Sequence, residues 1–285
     1  MAVRSRFVIS ALLCEHCSRY SGSRRSARAA LSFIATAPAL RQDQAMPPPV
    51  PRTARQRARV EITREILDTA RGHLARDGAP ALSLRAVARD CGMVSSAIYR
   101  YVPSRDDLLT MLIVNAYDSI GSAVEAAEAP VPRRSHQARF LTVCHAVRAW
   151  AIANPHEYAL IFGSPVPGYV APTDTIGPAT RVPVVLMTIL VDLHAGGATP
   201  AARPVPRDVA AAISAVRTFT GGTVPNDLLL RGLAAWATLL GSISLELFGH
   251  LHDVVDEDPA ARAAFFDHQV RRMADGLGLT SAGRH

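Results

Sequence analysis

The sequence predicts an all-α protein, with a small bundle of helices near the N-terminus and a larger helical domain after it. Apolar residues recur at three- and four-residue steps from about residue 52 onwards, which is the spacing of one helix face. No stretch alternates between apolar and polar residues for long enough to make a strand. The links between the helical segments are rich in proline and glycine, which typically end helices.

The first predicted helix begins near Arg52 and ends at Gly78 and Pro80. Its apolar side chains share one face, which must be buried against the rest of the bundle. These residues are Val60, Ile62, Ile66, Leu67, Ala70 and Leu74.

Two short helices and the start of a longer one follow. Ser83 is a suitable N-cap for the second helix, LRAVARDC, and Gly92 supplies the turn after it. Ser95 or Ser96 is expected to cap the third helix, AIYRYV, which Pro103 ends. The fourth helix begins with two aspartates in its first turn, which suit the positive end of the helix dipole.

A longer helix followed by two short helices joined through a glycine turn is the helix-turn-helix pattern. In such a domain the last short helix lies in the major groove of double-stranded DNA, with its N-terminal residues near the base edges. Small residues at that end allow close approach, while arginine and tyrosine suit guanine edges and phosphate oxygens. The residues expected to contact DNA are Arg85, Ser95, Ser96, Ala97, Arg100, Tyr101 and Arg105.

Some of these interpretations leave alternatives open. Arg100 reaches either a guanine edge or a phosphate. The basic run that contains Arg55 is either a solubilising tail or a phosphate-binding arm. Positive charge is unfavourable at a helix N-terminus, so the arm is favoured and Arg55 joins the contact residues. Tyr99 is expected to pack in the core, and Arg89 to lie on a solvated face.

The remainder of the chain is also helical. The patterns run through 136–153, 155–163, 177–195, 207–220, 226–251 and 258–276. Segment 226–251 is apolar around most of its circumference, so it must be covered on more than one side. With segment 258–276 it is expected to form a two-fold interface between two copies, where Gly232, Ala235 and Gly241 allow close approach.

The aromatic and methionine side chains on the helices of this larger domain belong either to its core or to the wall of a small-molecule pocket. Such pockets are lined mainly by apolar and aromatic side chains, with a few polar groups that fix the ligand's orientation. The candidate ligand-binding residues are Trp150, Tyr158, Phe162, Met187 and Trp236, with His145, His156 and His194 as polar candidates. His250 and His252 are two residues apart and do not share a helix face, so they predict no metal site.

Composition and charge narrow the classes of function. The 285 residues are 49% apolar and 19% charged, with a net charge of +7. Residues 51–105 carry 11 arginines and 5 acidic residues, whereas residues 106–285 carry 13 arginines and 17 acidic residues. A basic N-terminal third favours a polyanion partner, and the acidic remainder suggests a different role for the rest.

The N-terminal segment and the cysteines predict no further site. Residues 1–50 lack a helical period and are expected to be a disordered or mis-annotated extension, with Met46 as a plausible start. Cys14 and Cys17 form CEHC, but a closed zinc site needs four ligands. No second CxxC and no spaced pair of histidines supplies the other two. No metal and no cofactor are predicted, and the cysteine pattern fits a reducing cytoplasm. The charge-free run 232–245 is shorter than the roughly 20 residues of a membrane span.

The run LSLRAVARDCGMVSSAIYRYVPSRDDLL resembles the DNA-binding domain of TetR-family (tetracycline-repressor type) transcriptional regulators. The resemblance covers about residues 55–110 and implies DNA-contacting positions at Arg85, Ala97, Arg100, Tyr101 and Arg105. Pro103 stands where the family often has a charged or polar residue.

The stretches at 154–169 and 236–251 resemble the C-terminal domain named for its Trp-His-Gly motif. Trp236 and Gly241 match that motif, but Leu240 stands where the histidine would be.

With these observations, the resemblance implies a homodimeric repressor in the cytoplasm, associated with the nucleoid, that binds a palindromic operator and is released by a small, largely apolar effector. Its domains would be residues 1–50 (extension), 51–104 (helix-turn-helix) and 105–285 (ligand binding and dimerisation).

The alternatives are a helical protein that binds anionic membrane surfaces, or an enzyme in the larger domain. No nucleophile elbow, P-loop, dinucleotide fingerprint or HExxH motif supports the enzyme, and no membrane partner is expected. The sequence leaves open whether the protein represses or activates.

Overall fold

The computed structural model describes residues 53–197 and 201–279, and within these ranges it contains helices and no strands. The expectation for residues 1–50 and the CEHC pattern lie outside the described residues. The α-helices are α1 (Ala54–Asp77), α2 (Leu84–Asp90), α3 (Ser95–Ile98), α4 (Arg105–Glu128), α5 (His136–Ala153), α6 (Pro155–Phe162), α7 (Ile176–Ala179), α8 (Arg181–Ala195), α9 (Arg207–Ala212), α10 (Ser214–Phe219), α11 (Asn226–Leu247) and α12 (Pro259–Leu277). Short 3₁₀ helices lie at Ala79–Ala81 and Thr173–Thr175. The predicted all-α fold class is confirmed.

The chain divides into two compact units whose boundaries differ from the predicted division at residue 104. Among the described residues, the first unit contains 53–116 and 156–176, and the second contains 117–155, 177–197 and 201–279. Helix α4 crosses the boundary, because it runs without interruption from Arg105 to Glu128. A segment from the middle of the chain therefore belongs to the same unit as the helix-turn-helix.

The first unit has one apolar core, which α1 to α4 build from their inward faces. Its fully buried side chains include Ile66, Ala70, Val87, Ala88, Ile98, Val102, Leu108 and Leu109. Leu160, Val166 and Tyr169 pack against this core from the later stretch. Tyr169 is also held by a hydrogen bond of 2.9 Å between its hydroxyl and that of Thr110. On α1, the predicted inward face is correct from Ile66 to Leu74, but Val60 is exposed.

Local sequence signals explain most of the helix ends in this unit. Thr53 and Gln56 form a reciprocal capping box at the start of α1. Gly92 adopts a φ of 66° after α2, a conformation that glycine reaches without strain. The predicted cap of α3 is wrong: Val94 occupies the N-cap position, and Ser95 and Ser96 lie inside the helix. Their hydroxyl groups are therefore left for other partners.

The second unit is organised around α5, which packs against α8, α11 and α12. Helix α11 also packs against α8 and α12. The predicted helix over 207–220 is broken at Ile213 into α9 and α10. The break contains neither proline nor glycine, so no sequence signal marks it. Helix α11 ends at Leu247 rather than near residue 251, and Gly249 follows with a φ of 79°.

A fully buried arginine joins three helices of the second unit. Arg139 on α5 donates to Glu128 at the end of α4, and its Nη1 lies 2.6 Å from Asp192 Oδ2 on α8. The same nitrogen donates to the Arg133 carbonyl oxygen at 3.3 Å. Two carboxylates and a carbonyl therefore compensate a charge that burial alone would make very costly.

Candidate nucleic-acid interface and C-terminal cavity

Helix α3 is a single turn with one buried side and one exposed side. Ile98 and, four residues on, Val102 point inward and are fully buried. The exposed side chains of this segment are Val94, Ser95, Ser96, Tyr99 and Arg100, while Ala97 is half-buried. Three of the predicted contact residues, Ser95, Ser96 and Arg100, therefore lie together on one accessible surface.

The two tyrosines that follow α3 differ in their environments. Tyr99 is 46% exposed, so the expectation that it packs in the core is wrong. Tyr101 is half-buried against the core, and the Arg59 guanidinium lies 5.5 Å from its ring centroid. Ile98 and Val102 occupy the inward positions of this segment, and contact of Tyr101 with DNA stays a prediction. Tyr99 is thus an additional candidate for contact with DNA, which its phenol hydroxyl suits.

Three of the predicted arginines have free guanidinium groups. Arg55, Arg85 and Arg100 are exposed, and within 53–197 and 201–279 none of them has a hydrogen bond or ion pair. Arg55 lies in the first turn of α1, which contains no acidic residue. Positive side chains without intramolecular partners remain available to phosphate oxygens or guanine edges.

Arg105 has a different arrangement. Its Nε donates to the Leu82 carbonyl at 3.1 Å, and its Nη2 donates to the carbonyls of Ala79 at 2.9 Å and Pro80 at 3.2 Å. The side chain therefore satisfies the carbonyl groups of the turn between α1 and α2. Contact of Arg105 with phosphate stays a prediction. Any such contact would use a guanidinium group that already donates to three carbonyl groups of this turn.

A histidine–aspartate pair fixes α2 to α1 behind this surface. His73 is buried, and its Nε2 lies 2.7 Å from Asp90 Oδ2 at the end of α2. This hydrogen bond lowers the pKa of Asp90 below its ordinary value, with a smaller contribution from Arg89. Beside it, Cys91 donates to the Thr69 hydroxyl at 3.3 Å. These contacts hold the helix that precedes the exposed turn.

The five predicted ligand-binding residues are divided between the two units. Trp150, Met187 and Trp236 belong to the second unit, where Trp150 and Met187 are buried. The Trp150 indole donates to the Ser119 hydroxyl at 2.9 Å. Tyr158 and Phe162 belong to the first unit, where their ring centroids are 5.1 Å apart. A role of these residues in ligand binding stays a prediction.

A cavity of about 460 Å³ that is largely open to solvent lies in the second unit between α4, α5 and α12. It is lined by Ala127, Leu141, Thr142, His145, Ala146, Ala149, Asp267 and Arg271. His145 Nε2 lies 3.1 Å from Asp267 Oδ1, and Arg271 donates to Asp267 Oδ2 at 2.6 Å. Arg271 is the main cause of the lowered pKa of Asp267. The cavity thus combines apolar walls with a polar group at one side, and includes one histidine that the sequence singled out.

Helix α11 presents an exposed face of small and apolar residues, which are Ala234, Ala237, Thr238, Gly241, Leu245 and Phe248 (the residue that follows the helix). By length and composition α11 could cross a membrane, with a mean hydropathy of 1.6 over an 18-residue window. The core helix of a globular protein passes the same test.

Among residues 53–197 and 201–279, no group of three or more potential ligands could hold a metal ion.

The short exposed helix, the free arginines and the helical second unit define a helix-turn-helix DNA-binding protein. Comparison with known proteins identifies its family. Residues 66–112 match the model described as "Bacterial regulatory proteins, tetR family", and residues 140–273 match "Tetracyclin repressor-like, C-terminal domain". The chain belongs to the TetR family of transcriptional regulators. The narrower resemblance to the Trp-His-Gly type stays a prediction.

Named relatives agree with this assignment. The HTH-type transcriptional regulators Rv1816 of Mycobacterium tuberculosis and Mb1846 of Mycobacterium bovis are each 39% identical over 224 residues, which is 77% of this chain and 93% of each relative. The crystal structure of SCO4313 is 34% identical with a TM-score of 0.62, over 78% of this chain and all of that chain. A Rhodococcus protein of unknown function shares the fold, with a TM-score of 0.55 at 24% identity over 76% of this chain and 93% of that chain.

Proposed function

We propose that the protein is a homodimeric repressor that binds a palindromic DNA operator in the cytoplasm and dissociates from it when a small effector binds. The observation that carries this proposal is the exposed surface of α3. Ser95 and Ser96 on α3 and Arg100 just after it are accessible, and the Arg100 guanidinium has no partner among the described residues. A helix of this kind reads base edges in the major groove.

The exposed face of α11 supports a dimer. A methyl group added at Gly241 would meet nothing within 4 Å, so packing within the described chain gives no reason for a glycine there. By contrast, a Cβ at Gly232 would lie 2.6 Å from Leu190 Cδ1, and Ala235 is buried. Of the three small residues predicted at the interface, only Gly241 is thus free for a second copy. A two-fold dimer would present two α3 helices to two half-sites.

The cavity beside His145 supports control by a small molecule. Its volume of about 460 Å³ lies within the range of small-molecule sites. Alanine and leucine side chains form the apolar part of its wall, and Thr142, His145 and Arg271 supply polar atoms. A small, mainly apolar effector with one polar group would fit such a wall.

Selection of bound sequences from random double-stranded DNA tests the proposal. The full-length protein is expected to enrich a palindrome, whereas binding without any enriched sequence would overturn the proposed function. Arg100→Ala is expected to relax the preference at one base position per half-site, by roughly 1–3 kcal/mol if Arg100 contacts a base. If Arg100 contacts phosphate, the substitution would instead weaken binding to all sequences alike. Arg89→Ala, which removes an exposed arginine on α2, is the matched control.

A further inference from the structure

Val94 has a solvent-exposed apolar side chain beside the polar surface of α3. It is 71% exposed, more than any other large apolar residue that the structure describes in the first unit. Its neighbours Ser95, Ser96, Tyr99 and Arg100 are exposed with it. Burial within the described chain therefore does not explain a valine at this position.

The backbone around Val94 is firmly held. The Met93 N–H donates to the Ala88 carbonyl at 2.8 Å, and the Ala97 N–H donates to the Val94 carbonyl at 2.8 Å. The Met93 side chain packs against the core on one side, and Ile98 is buried on the other. Because a β-branched side chain also has few rotamers, the two Val94 methyl groups occupy a nearly fixed position.

We propose that Val94 reads the C5-methyl group of thymine, so that it selects a T·A base pair at one position of each half-site. A valine side chain has no hydrogen-bond donor or acceptor, so it cannot pair with a polar base edge. The apolar group that the major groove presents is the thymine methyl. Val94 precedes the first residue of the helix that would enter this groove, where contacts with base edges are made.

This inference rests on the proposed function. It predicts a contact that is lost when a single methyl group is removed from the DNA. Replacing thymine with uracil leaves all hydrogen-bonding groups of the base pair unchanged. Since a buried methylene contributes about 0.8 kcal/mol, each lost methyl is expected to weaken binding about fourfold, or about 15-fold over both half-sites.

The test starts from the palindrome that the full-length protein selects. Each symmetric pair of thymines is replaced with deoxyuridine in turn, and Kd is measured by fluorescence anisotropy for the unmodified protein, Val94→Ala and Val170→Ala. Val170 is the matched control, because it is a valine of the same unit that is 65% exposed and lies outside the helix-turn-helix. Circular dichroism checks that both variants are folded.

The expected result is one thymine pair whose demethylation weakens the unmodified protein and Val170→Ala about 15-fold, but Val94→Ala less than twofold. If Val94→Ala responds to every uracil substitution as the unmodified protein does, or if the selected half-site contains no thymine, the role of Val94 is wrong while the proposed function stands. If no sequence is selected at all, the proposed function itself fails, and this inference with it.

Discussion

Arg139 shows how one residue can determine the stability of the second unit. Its guanidinium is fully buried and is compensated by Glu128 and Asp192, which lie on two other helices. The sequence did not single out this residue, because its position within a helical pattern resembles that of any surface arginine. Only the packing of α4, α5 and α8 brings the two carboxylates together.

Arg139→Met is expected to lower the free energy of unfolding by roughly 3–5 kcal/mol, because it leaves two carboxylates near each other without their cation. Arg133→Met removes an exposed arginine that lies 2.9 Å from the same Asp192, and it should cost no more than about 1 kcal/mol. Urea unfolding followed by circular dichroism measures both. Similar losses for the two variants would contradict the role assigned to Arg139.

The pair of His73 and Asp90 predicts how stability depends on pH. The folded-state pKa of Asp90 is lowered, chiefly by the hydrogen bond from His73. Its contribution to stability is therefore present above the unfolded pKa of about 3.9, and is lost as the pH falls through the lower folded value. Asp90→Asn should unfold at lower urea than the unmodified protein at pH 7, and the difference should shrink between pH 5 and pH 3.

The control for this prediction is Asp77→Asn, since Asp77 is an exposed carboxylate beside Arg76 at the end of α1. Urea midpoints measured across the pH series should coincide for this variant and the unmodified protein. An Asp90→Asn variant that keeps its full deficit at pH 3 would show that the ionised Asp90 carboxylate is not the source of the effect.

At the scale of helices, a glycine decides how α8 meets the second half of α4. Arg181 donates to Asp118 Oδ1 at 3.0 Å and to Glu125 Oε2 at 2.7 Å, and its side chain lies across Gly121. A Cβ at residue 121 would lie 2.6 Å from Arg181 Nε and 2.8 Å from Arg181 Cβ, so the whole side chain would have to move.

Gly121→Ala is therefore expected to destabilise the protein by about 1–3 kcal/mol, although alanine is the better helix former. The same substitution at Gly72 in α1, where nothing lies within 4 Å, should stabilise it by roughly 0.4–1 kcal/mol. Thermal unfolding of both variants shows whether each substitution stabilises or destabilises the protein. A stabilising effect at residue 121 would mean that Arg181 moves aside without loss.

At the scale of the whole molecule, the exposed face of α11 predicts the oligomeric state. Leu245→Glu places a charge in this face and is expected to convert the proposed dimer to a monomer, since an unpaired charge at a buried interface costs several kcal/mol. Ile152→Glu is the control, because Ile152 on α5 is similarly exposed. Light scattering after size-exclusion chromatography gives the molar mass. A dimer that persists in Leu245→Glu would exclude this face as the interface.

The parts of the molecule that the sequence predicted are those that depend on local signals. The inward residues of α1 from Ile66 onward and the Gly92 turn follow from periodicity and backbone freedom. The exposure of Tyr99 was predicted wrongly, because it depends on how early α3 ends. The cavity beside His145 was also beyond prediction, since it requires α12 to bring Asp267 across 122 positions of sequence.

The first unit is built from two separate segments of the chain, and this affects the order in which it folds during synthesis. Residues 53–116 leave the ribosome before the stretch 156–176, whose Leu160, Val166 and Tyr169 complete their core. At roughly 5–20 residues per second, the 60 residues from 116 to 176 take about 3–12 seconds to add. During that interval the nascent helix-turn-helix exposes apolar surface that it later buries, so the unit proposed to read DNA is finished only after more than half of the chain has been made.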